Sequence, residues 1–275
     1  MIKNKNMKNL LTFVLIIGTS FYNIAQDASE KDFQAGLTLG GAMSFNSPQT
    51  NTIDSKVGGA FIAGMTMDWN FLSNIGLTTG LEFEFDKFTT TYNEPTFFQY
   101  ADKDIIRHKD REDGKAYNYF LLDERAHNSI YLTIPVMLKF QTNYLGYVRY
   151  FGRFGIRNSF NLMSRTTNTG TDFDALGVPS GENELKDMKS KGINSFYKGA
   201  VGISAGAEYN ITGNTVLVAE LGYYYGFSEI FAQRSNIRSL YQLNGINNMP
   251  PSEAGDYYVP TLKQGQLLLK VSVLF

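Results

Sequence analysis

The sequence predicts an all-β fold: a transmembrane antiparallel up-and-down β-barrel of about eight strands, with short periplasmic turns and long external loops. Three observations predict it. Apolar and polar residues alternate with period two in segments of roughly ten or more residues, the length a tilted strand needs to cross a bilayer. The connections between those segments alternate between short and long. Aromatic residues make up 14% of the chain and glycines number 26, while mean hydropathy stays negative. A barrel has that signature because lipid-facing apolar residues alternate with polar interior ones.

The first segment runs from Gln34 to Phe45, with Ala35, Leu37, Leu39, Met43 and Phe45 on one face. The second, Val57 to Phe71, sets Phe61, Ala63, Met65, Met67 and Trp69 against Gly64, Thr66 and Asp68. A third begins at Ile75, where Leu77, Leu81, Phe83 and Phe85 oppose Thr78, Gly80, Glu82, Glu84 and Asp86. The fourth, Asn128 to Phe140, sets Ile130, Leu132, Ile134, Val136, Leu138 and Phe140 against Tyr131, Thr133, Pro135 and Lys139. Pro135 cannot donate to a ladder, so it predicts a bulge or an unpaired position.

In the fifth, Tyr147 to Leu162, Val148, Tyr150, Phe154 and Ile156 oppose Arg149, Arg153 and Arg157. The sixth, Phe196 to Ile211, sets Val201, Ile203, Ala205, Ala207 and Tyr209 against Lys198, Ser204 and Glu208. In the seventh, Leu217 to Phe227, alternate apolar and aromatic residues oppose Glu220 and Gly222. The eighth closes the chain, with Leu267, Leu269, Val271, Val273 and Phe275 against Gln266, Lys270 and Ser272.

Asn70–Asn74, Gln141–Gly146 and Thr212–Asn214 are short connections. Those at Asn46–Lys56, Tyr92–His127, Asn161–Ser195 and Ser228–Leu262 are long. Transmembrane barrels segregate their loops in this way, short on the periplasmic side and long outside.

Two segments of chain are expected. Residues 1–25 have the order of a secretory signal peptide: Lys3, Lys5 and Lys8, then the apolar Leu10–Ile17, then Ala25 as the small cleavage residue. Residues 26–275 form the barrel domain. The absence of cysteine excludes disulfides, thiolate metal sites, a cysteine nucleophile and a lipid-anchored cysteine. A net charge of -1 gives no basic footprint for nucleic acid. No cofactor motif is present, neither a phosphate-binding glycine loop nor a metal-ligand cluster.

If the apolar faces meet lipid, the polar faces fill the interior, and a barrel this narrow has room only for side chains. Asp68, Glu82, Glu84, Asp86, Glu208 and Glu220 then face Lys139, Arg149, Arg153, Arg157, Lys198 and Lys270. The two signs balance, as a desolvated interior requires. Arg149, Arg153 and Arg157 recur every four residues, which reads as an anion ladder or as guanidinium forks paired with carboxylates. The narrow interior favours the pairing, and with it a plugged lumen.

The last strand ends in phenylalanine with apolar residues at alternate positions before it: Leu269, Val271, Val273 and Phe275. This looks like the signal read by the barrel-insertion machinery. Several segments also resemble the PorT-like outer-membrane β-barrel domain family. They are Phe33–Gly40, Ile130–Phe140 with its internal proline, Arg153-Phe154-Gly155, and Gly202–Tyr209. The resemblance covers about Asp32 to Phe275 apart from the long loops. It implies an outer-membrane location and, from the family's named members, an association with type IX secretion and gliding. It brings no catalytic residues.

His108 and His127 are the only histidines and both fall in the second long connection, among mixed charges from Asp104 to Arg125. Loop histidines of this kind read as solvated residues, so the chain is not expected to be an enzyme. The same connection carries Phe97, Phe98, Tyr100, Tyr117, Tyr119 and Phe120, and the last long connection carries Tyr241, Pro250, Pro251, Tyr257 and Tyr258. Such residues either extend a hairpin beyond the membrane or form a contact surface for a protein partner. The expected role is therefore structural or accessory, exercised through the loops, alongside secretion or surface assembly. The alternatives are a barrel that binds or passes a small ligand, and a loop-sited hydrolase.

Overall fold

The computed structural model describes residues 32–112, 114–189, 193–212, 214–233, 238–243 and 255–275. The expected signal peptide, Asp113, Gly213, Pro250 and Pro251 lie outside them. Among the described residues thirteen strands form one sheet. In chain order they are β1 (Phe33–Pro48), β2 (Ile53–Ser55), β3 (Gly58–Leu72), β4 (Ile75–Ala101), β5 (Asp104–Ile106), β6 (Asn118–Gln141) and β7 (Val148–Phe173). Then follow β8 (Pro179–Lys189), β9 (Tyr197–Thr212), β10 (Thr215–Gly226), β11 (Leu240–Leu243), β12 (Gly255–Tyr258) and β13 (Leu262–Leu274).

The antiparallel ladders run β1–β3–β4–β6–β7–β9–β10–β13, and β13 pairs back onto β1. These strands contain the segments expected from alternation. Their outer faces are apolar and exposed, which a water-soluble sheet would not tolerate over such an area. Two aromatic belts bound that surface. Trp69, Phe71, Phe140, Tyr147, Tyr150 and Tyr209 stand near the short turns, and Phe45, Phe61, Phe85, Phe196, Tyr225 and Phe227 near the long connections. Leu39, Leu81, Phe154, Ile203, Leu221 and Leu269 lie between them.

Pro135 is accommodated without a change of register. The β4–β6 ladder pairs Thr79 with Val136 and Glu82 with Thr133, with no pairing through Ile134 and Pro135 between them. The Thr79 hydroxyl donates to the Pro135 carbonyl at 2.8 Å instead.

The number of strands corrects the expectation of about eight. The long connections are themselves largely strand. β4 has 27 residues, β6 has 24 and β7 has 26, so β4 alone extends roughly 90 Å at the usual rise per residue. About ten residues suffice for a tilted crossing. The rest continues past the second aromatic belt, where β2, β5, β11 and β12 join through β4 and β8 pairs with β7. Alternation fails there for a physical reason. Thr96 to Tyr100 are buried on both faces, Phe98 and Tyr100 against Phe120 and Leu240, and Phe97 against Phe173 and Tyr241. On β8, by contrast, most residues of both faces are exposed.

Candidate functional site

All the charged residues expected to face inward are buried on the inner face of the ring. They are joined as one chain of alternating sign. From the short-turn end the order is Arg149, Glu208, Lys139, Asp68, Arg153, Glu220, Lys270, Glu82, Arg157, Glu84, Lys198 and Asp86. Each interior member thus has an opposite charge on both sides. Lys139 lies 2.6 Å from Asp68 Oδ2, Lys270 3.0 Å from Glu82, and Arg157 reaches Glu82 at 2.8 Å and Glu84 at 3.2 Å.

Neutral groups complete the shells. Thr78 donates to Asp68 at 2.6 Å, Gln266 to Glu84 at 2.8 Å and Gln264 to Asp86 at 3.0 Å. A buried ion pair is stable only when its remaining lone pairs and protons are satisfied, and these contacts supply part of that, while Arg153 Nε stays without a hydrogen-bond partner. Of the two readings of Arg149, Arg153 and Arg157, the geometry is that of forks closed onto carboxylates.

Sequence reasoning put Tyr131 on the inner face but missed the Phe151 and Tyr224 rings between the charges. Arg153 lies 4.3 Å from the Phe151 ring, Lys198 4.3 Å from Tyr131, and Arg157 5.2 Å from Tyr224. At the short-turn end Phe151, Val216, Val218 and Leu274 form an apolar floor. Val216, Val218 and Leu274 sit at the polar phase of β10 and β13, so alternation was the signal that could have found them. Leu269, Val271, Val273 and Phe275, the expected assembly signal, occupy the outward phase at the end of the chain, with Leu269, Val271 and Phe275 exposed.

The histidines separate. His108 is exposed and packs edge-on to Tyr257 at 4.7 Å. His127 corrects the solvated-loop reading: it is buried on β6 beyond the second belt, stacked on Phe88 at 4.6 Å and tilted against Phe231. Burial, and then the neighbouring Arg125 charge, hold its pKa well below the ordinary value and keep the ring neutral. Its hydrogen-bond partner is the Thr90 hydroxyl at 3.2 Å, a neutral group rather than an orienting carboxylate. Farther out, Tyr100 donates to Asp172 at 2.7 Å, and burial together with that carboxylate pushes its pKa up to about 12.

Among solved structures, Ail of Yersinia pestis is similar at 12% identity, covering 89% of this chain and 100% of its own, with a TM-score of 0.35. OprG of Pseudomonas aeruginosa is similar at 10% identity over 88% and 92% of the two chains, with a TM-score of 0.39. The outer-membrane protease OmpT of Escherichia coli is similar at 9% identity over 90% and 97%, with a TM-score of 0.32. At such scores none of them bears on what this chain does. Comparison with curated proteins gives no match. The family model described as outer membrane protein beta-barrel domain matches residues 24–232, most of the chain, and does not single out the PorT-like branch. The chain is an outer-membrane protein and belongs to the outer membrane protein beta-barrel domain family.

Proposed function

We propose that the chain is a non-conducting outer-membrane barrel whose eight ring-paired strands cross the membrane and whose outward sheet is the working part. The observation that carries this reading is the ion-pair chain from Arg149 to Asp86, which occupies the interior lengthwise. An interior filled by paired side chains leaves no path for solute, so what the protein does is done outside it. In this reading the short turns are periplasmic, and the extended parts of β4, β6 and β7 stand outside the cell.

The role is structural or accessory and non-enzymatic, exercised on a protein partner by the outer sheet. The β7–β8 hairpin presents Leu176 and Val178 to solvent, apolar side chains with no neighbour to cover them at a loop tip. Leu269, Val271, Val273 and Phe275 on the last strand are the handle for the insertion machinery. The finer assignment, to the PorT-like branch and its type IX secretion or surface assembly, is supported by the strand motifs Phe33–Gly40 and Ile130–Phe140. A loop-sited hydrolase draws no support from His127, whose partner is Thr90.

Deleting the gene, profiling secreted proteins, and purifying the crosslinked full-length protein from membranes tests this reading. The expected result is an altered set of surface or secreted proteins and a partner lost when Leu176 and Val178 are both replaced by serine. Unchanged secretion together with no co-purifying partner contradicts it.

A further inference from the structure

Beyond the second aromatic belt, the apolar cap of the interior contains a cation with no counter-charge among the described side chains. Arg125 on β6 is buried, with 1% of its surface exposed, and its strand neighbours are Thr90 and Asn168. Its Nε donates to Asn168 Oδ1, and its guanidinium lies 4.9 Å from the Phe98 ring. The other oxygen groups brought to it, from Tyr92 and Tyr258, are phenol hydroxyls rather than carboxylates. No ion pair is formed by it with any carboxylate among the described side chains, and its Nη2 has no hydrogen-bond partner. This contrasts with the interior below, where every buried arginine is closed onto carboxylates.

Arg125 lines a small cavity together with Arg238 and Ser239, walled by Ile193, Phe231 and Leu240. Arg238 is the second cation of that cavity. Its Nη1 donates to the Tyr257 carbonyl at 3.1 Å, and its buried Nε has no partner. The cavity offers about 20 Å³, room on the order of one water-sized group. Two guanidiniums at one such cavity repel each other, and an uncompensated buried charge is among the costliest features a fold can hold.

We propose that Arg125 and Arg238 form a site for one small monovalent anion, a halide or the carboxylate head of a molecule whose body lies outside the cavity. The donor set fits this class. Guanidinium N–H groups bind halides and carboxylates through charge-assisted hydrogen bonds. The apolar wall strengthens the attraction by excluding water, and the small volume rejects sulfate-sized ions. The bound anion ties β6 to the connection that precedes β11, so occupancy is expected to stabilise the outer cap.

The test uses the full-length protein refolded in detergent at constant ionic strength. Melting is followed in sodium methanesulfonate, an anion of sulfate size with no carboxylate, while chloride, formate or sulfate replaces part of it. Chloride or formate is expected to raise the midpoint saturably, on the order of a few degrees, and sulfate is not. A response to chloride alone assigns a free halide, and a response to formate assigns a carboxylate head. R125Q and R238Q are both expected to lose the ion-specific rise. Because R125Q removes a buried group on which folding itself depends, R238Q and a bromide-soaked crystal of the unmodified protein stand independently of it. Bromide density within hydrogen-bond distance of Arg125 supports the site. No anion-specific rise with no bromide density, an equal rise in R238Q, or a chain carboxylate found paired with Arg125 overturns it.

Discussion

Lys198 Nζ on β9 lies 2.7 Å from Glu84 Oε1 on β4, three ladders away around the ring, and both side chains are buried. The pair therefore bridges the interior between strands that share no backbone hydrogen bond. Replacing either member takes from its partner one of two opposite charges, and K198M also removes the cation that Asp86 touches. E84Q is expected to destabilise the protein by about 1–3 kcal/mol and K198M by about 3–5 kcal/mol, and the double variant by clearly less than their sum. Unfolding in detergent, followed through the fluorescence of Trp69, measures all three. Additive losses would show that the two side chains do not act as a pair.

Gly206 shows how tightly the rings among the charges are seated. A Cβ placed there lies 2.1 Å from the Ala219 carbonyl oxygen and 2.5 Å from the Phe151 ring. Phe151 is itself packed beneath Arg153 and cannot retreat without disturbing that cation. Gly206→Ala is expected to cost on the order of 1–3 kcal/mol in the same unfolding measurement. An unchanged midpoint would mean that the ring has room to move.

The inner face of the crossing segments was legible because burial there has period two. Charge at Asp68, Glu82, Lys139 and Arg153 can lie only on the face away from lipid, so the alternation names the side directly. Partner choice was not legible. That Lys198 meets Glu84 and Asp86, while Lys270 meets Glu82 and Glu220, depends on strand stagger. The outer sheet was hidden for a different reason: Phe97 and Phe98 are adjacent and both buried, so no two-residue period survives. His127 and Arg125 look like loop residues in sequence, because the strand that buries them begins ten residues before the expected start of the segment.

His127 gives the fold a pH dependence. Its folded pKa is held well below 6.5, so below that pH the unfolded chain takes up a proton that the folded chain refuses. The loss belongs to the acid side: stability is full above 6.5 and falls by about 1.4 kcal/mol for each further pH unit, until the folded pKa is reached. H127F keeps a stacking ring beside Phe88 and is expected to flatten that slope between pH 6.5 and 5. Melting midpoints across this range compare the two proteins. Parallel slopes would assign the acid sensitivity to other groups.

Phe275 tests the handle on the last strand. F275A removes an outward ring that contributes nothing to the ion-pair chain, so the folded protein is expected to keep its stability in detergent. Its assembly in cells is expected to drop several-fold, read as the heat-modifiable fraction in outer-membrane preparations. Equal assembly of F275A and the unmodified chain would remove the signal from this residue.

The interior filled by charge from Arg149 to Asp86 is tested most directly by conductance across a planar bilayer. The full-length protein is predicted to insert and show no stable open state. Reproducible, sizeable unitary currents would contradict it, because ions cannot pass an interior whose charges are all closed onto one another.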